Sequence, residues 1–531
     1  MCGIGGEVVF HKQKVHIARR ARNSGIAINY RGNESAGISI TDGVSLRTQK
    51  GYGEFIEAVP TIWTEIRKGL AAIFQNRYST TGGGVCQDIR GEEKPVNPLI
   101  EFEDMDHPPI GLANCQPFFL DYRNKEDLQI RIALVHNGNL TNLTQIRNFL
   151  IKKGKNGFIT ETDTELIIQL IVYYLENQPR KYVRNEHPVV TAIRATMKKI
   201  KGAYSCLLLT NQGIFAFRDP RGIRPLKMAQ TSDSYIFASE PIAWHGRDAE
   251  FLGNISPGEI VEARIGSKKL RFHVGIKPQK RAFCIFEDIY LQAGYNEKVS
   301  LFRKLCGIKL FELHPHVGIT IPILNSGEMA SLGYDIAQRL TTNNQSFYFP
   351  ALYKNLHVGR TFLEPDAEDR IKKNKKKYFL LFKTIESEIR YLAETYGVVW
   401  LIFIDDSLVR SNVSRTLIKI TRQCLKEIFP DIYKKIKIAW LLASPPYTHP
   451  CYYGVDTYDL NELIAARFNS DTEKIRRSIN ASYVGYLPVE DTLEIAAKIH
   501  DLEPSDFCAA CFTGNYPVKI NPEQTKMCLT E

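Results

Sequence analysis

The chain has 531 residues and a hydrophobic content of 44%, which is ample for more than one packed core. It has no apolar run near the roughly 18 residues of a membrane span, no secretory signal in MCGIGGEVVFHKQKV, and too few cysteines (11) for a secreted disulfide scaffold, so a cytoplasmic protein is expected. The net charge of +11 indicates anionic ligands or a solubilising surface, and neither a nucleic-acid nor a membrane partner is predicted.

The first half of the chain, to about residue 280, is rich in short β patterns separated by glycine turns. The clearest patterns are AAIFQNRYS, IRIALVHNG, YSCLLLT, GIFAFRD and YIFAS. A helix is predicted in TDTELIIQLIVYYLENQ, where Thr162 and Glu165 have the spacing of a capping box. A second helix is predicted in PVVTAIRATMKKIKG, from Pro188 to Gly202. These elements predict strands packed on strands with helices outside.

From about residue 285 apolar strands alternate with helices. Strands are predicted in HVGITIPIL, SFYFPALY, VVWLIFI and KIKIAWLLAS, and helices in GEMASLGYDIAQRL and from Ser414 onward. This alternation predicts an α/β domain with a parallel sheet covered on both faces. We therefore expect two domains, 2–280 and 281–531. In such sheets ligands bind at the carboxyl ends of the strands, where FIDDSLVRSNVSR (403–415) lies.

Two polar segments interrupt these patterns. Residues 84–111 form a long insertion that contains several prolines. Residues 365–377 end in a basic cluster, which is most often a solvated helix face or loop, although it could also close over a phosphate.

Cys2 follows the initiator methionine and precedes a glycine. Removal of Met1 would leave a thiol and a free α-amine on one residue, and the amine could serve as the base for the thiol without a histidine. Met-Cys-Gly alone is a weak signal, because most cysteines at the second position have no catalytic role.

Further motifs follow over residues 2–240 in the order MCGIGG, YRGNESAGI, NRYSTTG, NCQPF, LVHNGNLTN, TDTE, KGAYS, FRDPRGIRPL and ASE. On these motifs the first half resembles the class II glutamine amidotransferases of the N-terminal-nucleophile type, in particular the amidotransferase half of the amidophosphoribosyltransferase family. The resemblance implies an αββα sandwich in which Cys2 attacks the glutamine side-chain amide and releases ammonia through a thioester. It also implies an oxyanion hole made by the Asn137 side chain and the Gly138 backbone N–H.

The same resemblance assigns charged side chains to the α-carboxylate and α-ammonium of glutamine. Arg31 and Arg77 belong to the implied glutamine site, with Arg77 as the carboxylate clamp, and Asp163 accepts from the ammonium. Taken singly, HNGN could be a hairpin turn and TDTE a helix cap. The family usually has a His-Thr pair before the arginine, whereas this chain has Gln75 and Asn76. Both can still form hydrogen bonds, so no loss of glutaminase activity is expected.

Four cysteines mark a separate candidate site. They are Cys284, Cys451, Cys508 and Cys511, the last two in a CxxC pair. Taken alone, the pair allows a zinc, redox or iron–sulfur site, and zinc could also use a histidine such as His449. The four contexts, including CFTGNYP, resemble the ligand positions of the iron–sulfur type of amidophosphoribosyltransferase. The resemblance implies a structural [4Fe–4S] cluster, and ordinary buried cysteines are the alternative.

The stretch IDDSLVRSNVSR resembles the phosphoribosyl-diphosphate (PRPP) signature of type I phosphoribosyltransferases. The resemblance implies that Asp405 and Asp406 hold the ribose hydroxyls and Mg²⁺. The turn that follows would wrap the 5′-phosphate at a helix N-terminus, which is a natural anion site. Ser407, Arg410 and Ser414 match the implied PRPP-binding positions.

Two loops depart from this signature. The usual Gly-Thr-Thr is Ser-Asn-Val at 411–413, which removes a glycine that tolerates positive φ and also removes a hydroxyl donor. The diphosphate loop reads Leu-Asn-Ser-Gly at 324–327, where Asn325 replaces an acid and Ser326 keeps a hydroxyl for Mg²⁺ and diphosphate. Lys377 falls where a PRPP-binding loop lysine is expected. An inherited strand–turn–helix that no longer binds PRPP is the alternative.

The resemblance spans roughly residues 2–520. It implies a glycosyltransferase that makes 5-phosphoribosylamine, pyrophosphate and glutamate from PRPP and glutamine, at the first step of de novo purine synthesis, with ammonia passing internally from Cys2 to PRPP. The alternatives are a glutaminase that serves another ammonia acceptor and a regulatory homologue with an impaired PRPP site. Nucleotide feedback inhibitors and a homo-oligomer are also expected.

Overall fold

The computed structural model describes residues 2–78, 110–123, 129–177, 186–342, 347–350 and 382–521. The described chain forms two compact units. The first contains residues up to 284 together with 451–458 and the segment from 516, and the second contains 285–450 and 459–515. Within the described ranges, no helix is long and apolar enough to cross a membrane.

The first unit is built on two antiparallel sheets. Its strands are β1 (Gly3–Val9), β2 (Ser35–Thr41), β3 (Leu46–Tyr52), β4 (Ala71–Arg77), β5 (Phe118–Arg123), β6 (Gln129–Leu140), β7 (Gly202–Thr210), β8 (Gly213–Arg218), β9 (Lys227–Gln230), β10 (Ser234–Ala238), β11 (Glu250–Asn254), β12 (Glu259–Arg264), β13 (Leu270–Val274) and β14 (Phe283–Cys284). A seven-stranded sheet has the order β11-β9-β10-β1-β4-β2-β3, and a six-stranded sheet has the order β13-β12-β8-β7-β6-β5.

Helices cover the outer face of each sheet. They are α1 (Ile17–Ala27), α2 (Phe55–Ala58), α3 (Thr61–Ile66), α4 (Ile110–Ala113), α5 (Leu143–Lys152), α6 (Asp163–Glu176) and α7 (Pro188–Met197). One apolar core joins α1–α3 to the seven-stranded sheet, a second joins α5–α7 to the six-stranded sheet, and a third lies between the sheets. Successive side chains of a strand therefore pack into two different cores, one between the sheets and one under the helices. This arrangement confirms the predicted αββα sandwich.

The start of α6 differs from its prediction in one detail. Thr162 caps the helix as expected, because its hydroxyl accepts from the Glu165 backbone N–H at 3.3 Å. The Glu165 carboxylate instead accepts from the N–H groups of Ile159 at 2.9 Å and Thr160 at 2.7 Å. The Thr162 N–H bonds to the Thr160 hydroxyl at 3.2 Å, so the reciprocal capping box was wrong.

The second unit contains a parallel sheet, as predicted, and the sheet has a fifth strand, Tyr483–Tyr486, that was not predicted. The strands of this sheet are β15 (Gly318–Pro322), β16 (Phe347–Tyr348), β17 (Val399–Asp405), β18 (Ile436–Leu442) and β19 (Tyr483–Tyr486), and β20 (Phe507–Cys508) is not part of it. The sheet order is β16-β15-β17-β18-β19. The helices are α8 (Glu297–Leu313), α9 (Glu328–Thr342), α10 (Glu386–Tyr396), α11 (Asn412–Ile428), α12 (Ile464–Arg467), α13 (Thr472–Ile479), α14 (Val489–His500) and α15 (Ala510–Thr513).

The central strand β17 shows why the strand sequences of the second unit are continuous apolar runs. Leu401 and Phe403 face one side of the sheet, Ile402 and Ile404 face the other, and all four are buried. The helix that follows begins at Asn412, two residues earlier than predicted. The predicted strand in SFYFPALY is short, and its last residues lie outside the described ranges.

Candidate active sites

Cys2 lies immediately before β1 and is buried, with 7% of its surface exposed. Its thiol donates to the Tyr78 carbonyl at 3.8 Å, and its own carbonyl accepts from Arg31 Nε at 3.1 Å. The Arg31 guanidinium also forms a buried ion pair with Glu240. Arg31 therefore fixes the main chain of Cys2, and its predicted contact with glutamine remains a prediction.

The predicted oxyanion hole lies on β6, beside β7. Gly138 has φ +145°, and a Cβ at this position would lie 2.0 Å from the Ala203 carbonyl oxygen, so only glycine fits. Asn137 is fully buried, and neither polar atom of its side chain has a hydrogen-bond partner among the described residues. Buried polar groups are nearly always paired, so an unpaired amide suggests a ligand atom that completes it.

Asp163 lies close to the same strand. Its carboxylate is 3.4 Å from His136 Nδ1 and accepts from the Leu140 N–H at 3.3 Å. The first turn of α6 thus brings the predicted ammonium acceptor to the strand that carries Asn137 and Gly138.

The two residues that depart from the family pattern hydrogen-bond, as expected. Gln75 donates to the His136 carbonyl and accepts from the His136 N–H, each at 3.1 Å, which ties β4 of one sheet to β6 of the other. Asn76 donates to the Gly25 carbonyl at 2.7 Å. Arg77 is the next residue, and it is 7% exposed.

Lys50 is a charged residue of this region that the sequence did not suggest. It is buried on β3, and its ammonium donates to the Cys115 carbonyl at 2.8 Å and the Ala113 carbonyl at 3.4 Å. Burial lowers the pKa of Lys50 to about 8, with Cys115 opposing the shift and Arg77 adding to it. A carboxylate held by Arg77 would therefore also be attracted by Lys50. A lysine at a buried strand position is the only signal that could have indicated it.

Residues 451–458 belong to the first unit although they are distant in sequence. The Tyr452 carbonyl accepts from Asn139 Nδ2 at 3.2 Å, and a Cβ on Gly454 would lie 3.1 Å from the Gly138 carbonyl carbon. Arg224 is fully buried and donates to the Tyr453 carbonyl at 2.8 Å. This segment packs against the oxyanion strand, a role that no local pattern predicted.

The paired carboxylates of the second unit lie at the carboxyl end of β17, as predicted. Asp406 accepts from the hydroxyls of Ser326 at 2.5 Å and Ser407 at 2.7 Å. Burial raises the pKa of Asp405, and the neighbouring Asp406 charge raises it further. Burial also raises the pKa of Asp406, against the opposing hydrogen bonds from the two serines. The structure thus brings together four of the predicted PRPP and metal residues, Ser326, Asp405, Asp406 and Ser407.

The turn after the carboxylates has a backbone conformation that glycine adopts readily. Ser411 lies in the left-handed region, at φ 62° and ψ 3°, although it carries a side chain. The buried Ser414 hydroxyl donates to the Ser411 carbonyl at 3.0 Å. Arg410 forms an ion pair with Glu462 at 2.6 Å. The N-terminus of α11, which begins at Asn412, therefore follows the turn directly.

Several predictions are left untested. Lys377, the basic cluster at 365–377 and most of the 84–111 insertion lie outside the described residues. The candidate cluster ligands Cys284, Cys451, Cys508 and Cys511 are all buried. In the described part of the chain, no group of three or more His, Cys, Asp or Glu side chains is arranged to hold a metal ion.

The fold and these sites define a class of protein: a glutamine amidotransferase with an N-terminal-nucleophile sandwich and a phosphoribosyltransferase-type parallel sheet. A family model described as a glutamine amidotransferase domain matches residues 115–245. The amidophosphoribosyltransferase of Methanocaldococcus jannaschii is 30% identical over 545 residues, which cover 99% of each chain. That of Bacillus subtilis is 31% identical over 528 residues, covering 98% of this chain and 94% of its own.

A solved structure agrees with these relatives. The B. subtilis glutamine PRPP amidotransferase complexed with ADP and GMP superposes with a TM-score of 0.75 at 27% identity, covering 98% of each chain. The chain belongs to the amidophosphoribosyltransferase family. The predicted activity, that of an amidophosphoribosyltransferase, is confirmed by this membership.

Proposed function

We propose that this chain converts PRPP and glutamine to 5-phosphoribosylamine, pyrophosphate and glutamate, with glutamine hydrolysed in the first unit. The observation that carries the proposal is the buried, unpaired amide of Asn137 beside Gly138. The Cys2 thiol adds to the side-chain carbonyl of glutamine, and Asn137 Nδ2 and the Gly138 N–H stabilise the oxyanion. Ammonia leaves, and water hydrolyses the thioester to glutamate.

The second reaction uses ammonia as the nucleophile. Ammonia attacks C1 of PRPP, the C1–oxygen bond breaks, and pyrophosphate leaves, so no protein nucleophile is needed. The turn at 407–414 and the N-terminus of α11 suit the 5′-phosphate, because the left-handed Ser411 preserves the turn despite the missing glycine. This geometry favours PRPP as the acceptor over the alternative of an inherited turn that no longer binds it.

Mg²⁺ is proposed as the metal of this site. Ser326, Asp405 and Asp406 would hold it. Two carboxylates and a hydroxyl match the coordination preference of Mg²⁺, which takes its remaining ligands from substrate phosphates and water. A bound cation would also offset the cost of burying two adjacent carboxylates. When bound, it would neutralise charge on the departing diphosphate.

We also propose that Cys284, Cys451, Cys508 and Cys511 hold a structural [4Fe–4S] cluster. Four cysteine thiolates are the ligands that such a cluster takes, and all four of these thiols are buried. Cys451 Sγ accepts from the Tyr453 N–H at 3.5 Å and from Arg224 Nη2 at 4.0 Å, and such N–H···S contacts are common around cluster sulfurs. Anaerobically purified protein is expected to be brown and to contain about four iron and four sulfide ions per chain. A colourless, fully active zinc protein would contradict the assignment.

Regulation and location are proposed from the family. The B. subtilis relative was solved with ADP and GMP, which supports feedback by purine nucleotides here. A cytoplasmic location and a homo-oligomer are further proposals.

The experiment that tests the function assays glutamate and pyrophosphate together, with and without PRPP and Mg²⁺. Stoichiometric pyrophosphate with PRPP-stimulated glutamate is expected. Cys2→Ala should abolish the use of glutamine but leave ammonia-dependent pyrophosphate formation. Glutamate formed without pyrophosphate and indifferent to PRPP would show that another acceptor is used. Equal loss of both activities in Cys2→Ala would refute the two-site mechanism.

A further inference from the structure

A basic cavity lies at the amino-terminal edge of the parallel sheet of the second unit. Its volume is about 1180 Å³. The charged side chains of its lining are Lys419, Arg422, Lys426, Lys434, Lys437 and Arg476. The seven-residue strand β17 separates this edge from Asp405, which places the two ends about 20 Å apart at about 3.3 Å per residue. None of the lining residues belongs to the two candidate active sites.

The lining contains six basic side chains and no acidic one. Three of the six come from one face of α11, because Lys419, Arg422 and Lys426 follow the three- and four-residue spacing of a helix surface. Lys437 lies at the start of β18, Lys434 lies in the short helical turn that precedes this strand, and Arg476 comes from α13. Four separate elements therefore direct positive charge at one concave space.

Two of the cations are fixed in place by the loop 480–482. Arg422 donates through Nε to the Asn480 carbonyl at 2.9 Å and through Nη2 to the Ser482 hydroxyl at 3.3 Å. Arg476 donates to the Ala481 carbonyl at 2.8 Å and pairs with Glu473 at 2.6 Å. These guanidinium groups are thus oriented before any ligand arrives.

The other charges of the cavity lack acidic partners. Of the six basic residues, only Arg476 forms an ion pair within the described part of the chain. Like charges around an open concave surface repel one another and create a positive potential, which a bound anion would relieve. Arginine forks and lysine ammonium groups are the usual partners of phosphate oxygens.

The size and lining of the cavity indicate which class of anion it could bind. The volume of about 1180 Å³ is above the usual range of about 300–1,000 Å³ for small-molecule sites and is too large for one phosphate. The half-buried rings of Trp400 and Tyr433 line the same space, and Lys426 Nζ lies 5.4 Å from the centre of the Tyr433 ring. We propose that this cavity is a second anion site that binds a diphosphate or triphosphate group, either free or carried by a nucleotide. This site goes beyond the proposed function.

The test measures binding of sodium triphosphate, ATP, AMP and adenosine to the full-length protein by calorimetry at physiological salt. Lys419→Glu/Lys426→Glu reverses two exposed charges of the cavity. Lys152→Glu/Lys153→Glu is the matched control, since it makes the same change in net charge at exposed lysines of the first unit that do not line the cavity. The cavity variant should lose about tenfold or more in affinity for triphosphate and the control less than about twofold.

Comparison of triphosphate with ATP distinguishes a free phosphate chain from one carried by a nucleotide. Equal affinity for triphosphate and ATP assigns recognition to the phosphate chain alone, whereas tighter binding of ATP assigns it to a nucleotide. Both support the site. PRPP-dependent pyrophosphate formation without added triphosphate should be unchanged in both variants, so failure of this proposal is distinct from failure of the proposed function. Equal losses in the two variants, no loss in either, or binding of adenosine as tight as that of ATP would overturn the proposal.

Discussion

Each candidate site contains a residue with a positive φ, Gly138 on β6 in the first unit and Ser411 in the turn before α11 in the second. In the first unit, Gly138 has φ +145°, and any Cβ would lie 2.0 Å from the Ala203 carbonyl oxygen. In the second unit, Ser411 occupies the corresponding special position at φ 62°. The first conformation is essentially restricted to glycine, whereas the second is open to other residues at a modest cost.

The difference shows that a glycine in a motif can be required for two distinct reasons. Gly138 is required by contact, because a neighbouring strand occupies the space of its side chain. Ser411 needs only a left-handed backbone, which a small polar residue can supply at a cost of about 1 kcal/mol. The effect of replacing a motif glycine therefore cannot be predicted until the contacts that an added Cβ would make are known.

The largest effect is expected for Gly138→Ala. The added methyl group would force β6 away from β7 and displace the oxyanion donor, so glutamine-dependent activity should fall by about 100-fold or more. Ammonia-dependent pyrophosphate formation should be retained. Steady-state assays with the two nitrogen donors would measure both activities on one preparation.

Gly154→Ala is the matched control for this change. Gly154 also has a positive φ, +79°, but its Cβ would meet nothing within 4 Å. Its substitution should cost about 1 kcal/mol of folding free energy and leave glutamine-dependent activity intact. If both variants lose that activity equally, backbone conformation and not contact decides the role of Gly138, and the comparison fails.

The sequence could predict the elements of both sites but not their long-range partners. β17, its two carboxylates and the capped start of α6 follow from local patterns, and the resemblance supplied Asn137 and Gly138. The positive φ of Ser411 could not be predicted, because serine seldom adopts it without support from its surroundings.

Contacts between distant segments account for the rest. Gln75 meets His136, 61 residues away, across two different sheets. Asn139 donates a hydrogen bond to the carbonyl of Tyr452, which is 313 residues away in the sequence. No periodicity or local motif encodes such pairs, since they depend on how the sheets and the returning segment pack together.

The two units also differ in the charged groups that they bury. The first buries the Lys50 ammonium, and the second buries the adjacent carboxyl groups of Asp405 and Asp406. Burial lowers the pKa of Lys50 from 10.5 to about 8. Between these values the unfolded chain binds a proton that the folded protein lacks, so stability should rise with pH from about 8 to 10.5. The full gain, about 3 kcal/mol, is absent below pH 8, where both states are protonated.

Lys50→Met should remove this rise, which denaturant unfolding between pH 7.5 and 10.5 would measure. Lys68→Met, at an exposed lysine of the same unit, should keep the wild-type slope. A slope that is equal in wild type and Lys50→Met would mean that the Lys50 ammonium is stabilised in its buried position.

The smallest effect is expected for Ser411→Gly, which restores the residue usual in the signature. Relief of the left-handed conformation gains about 1 kcal/mol, but the added freedom of glycine in the unfolded chain costs about 0.5–1 kcal/mol. The free energy of unfolding should therefore change by less than about 1 kcal/mol, and KM for PRPP by less than about threefold. Ser411→Val should instead lose about 1–2 kcal/mol, because a β-branched residue is poorly tolerated at positive φ. A tenfold fall in KM for Ser411→Gly would mean that the serine side chain obstructs the phosphate. In that case position 411, like position 138 on β6, is limited by contact and not by backbone conformation.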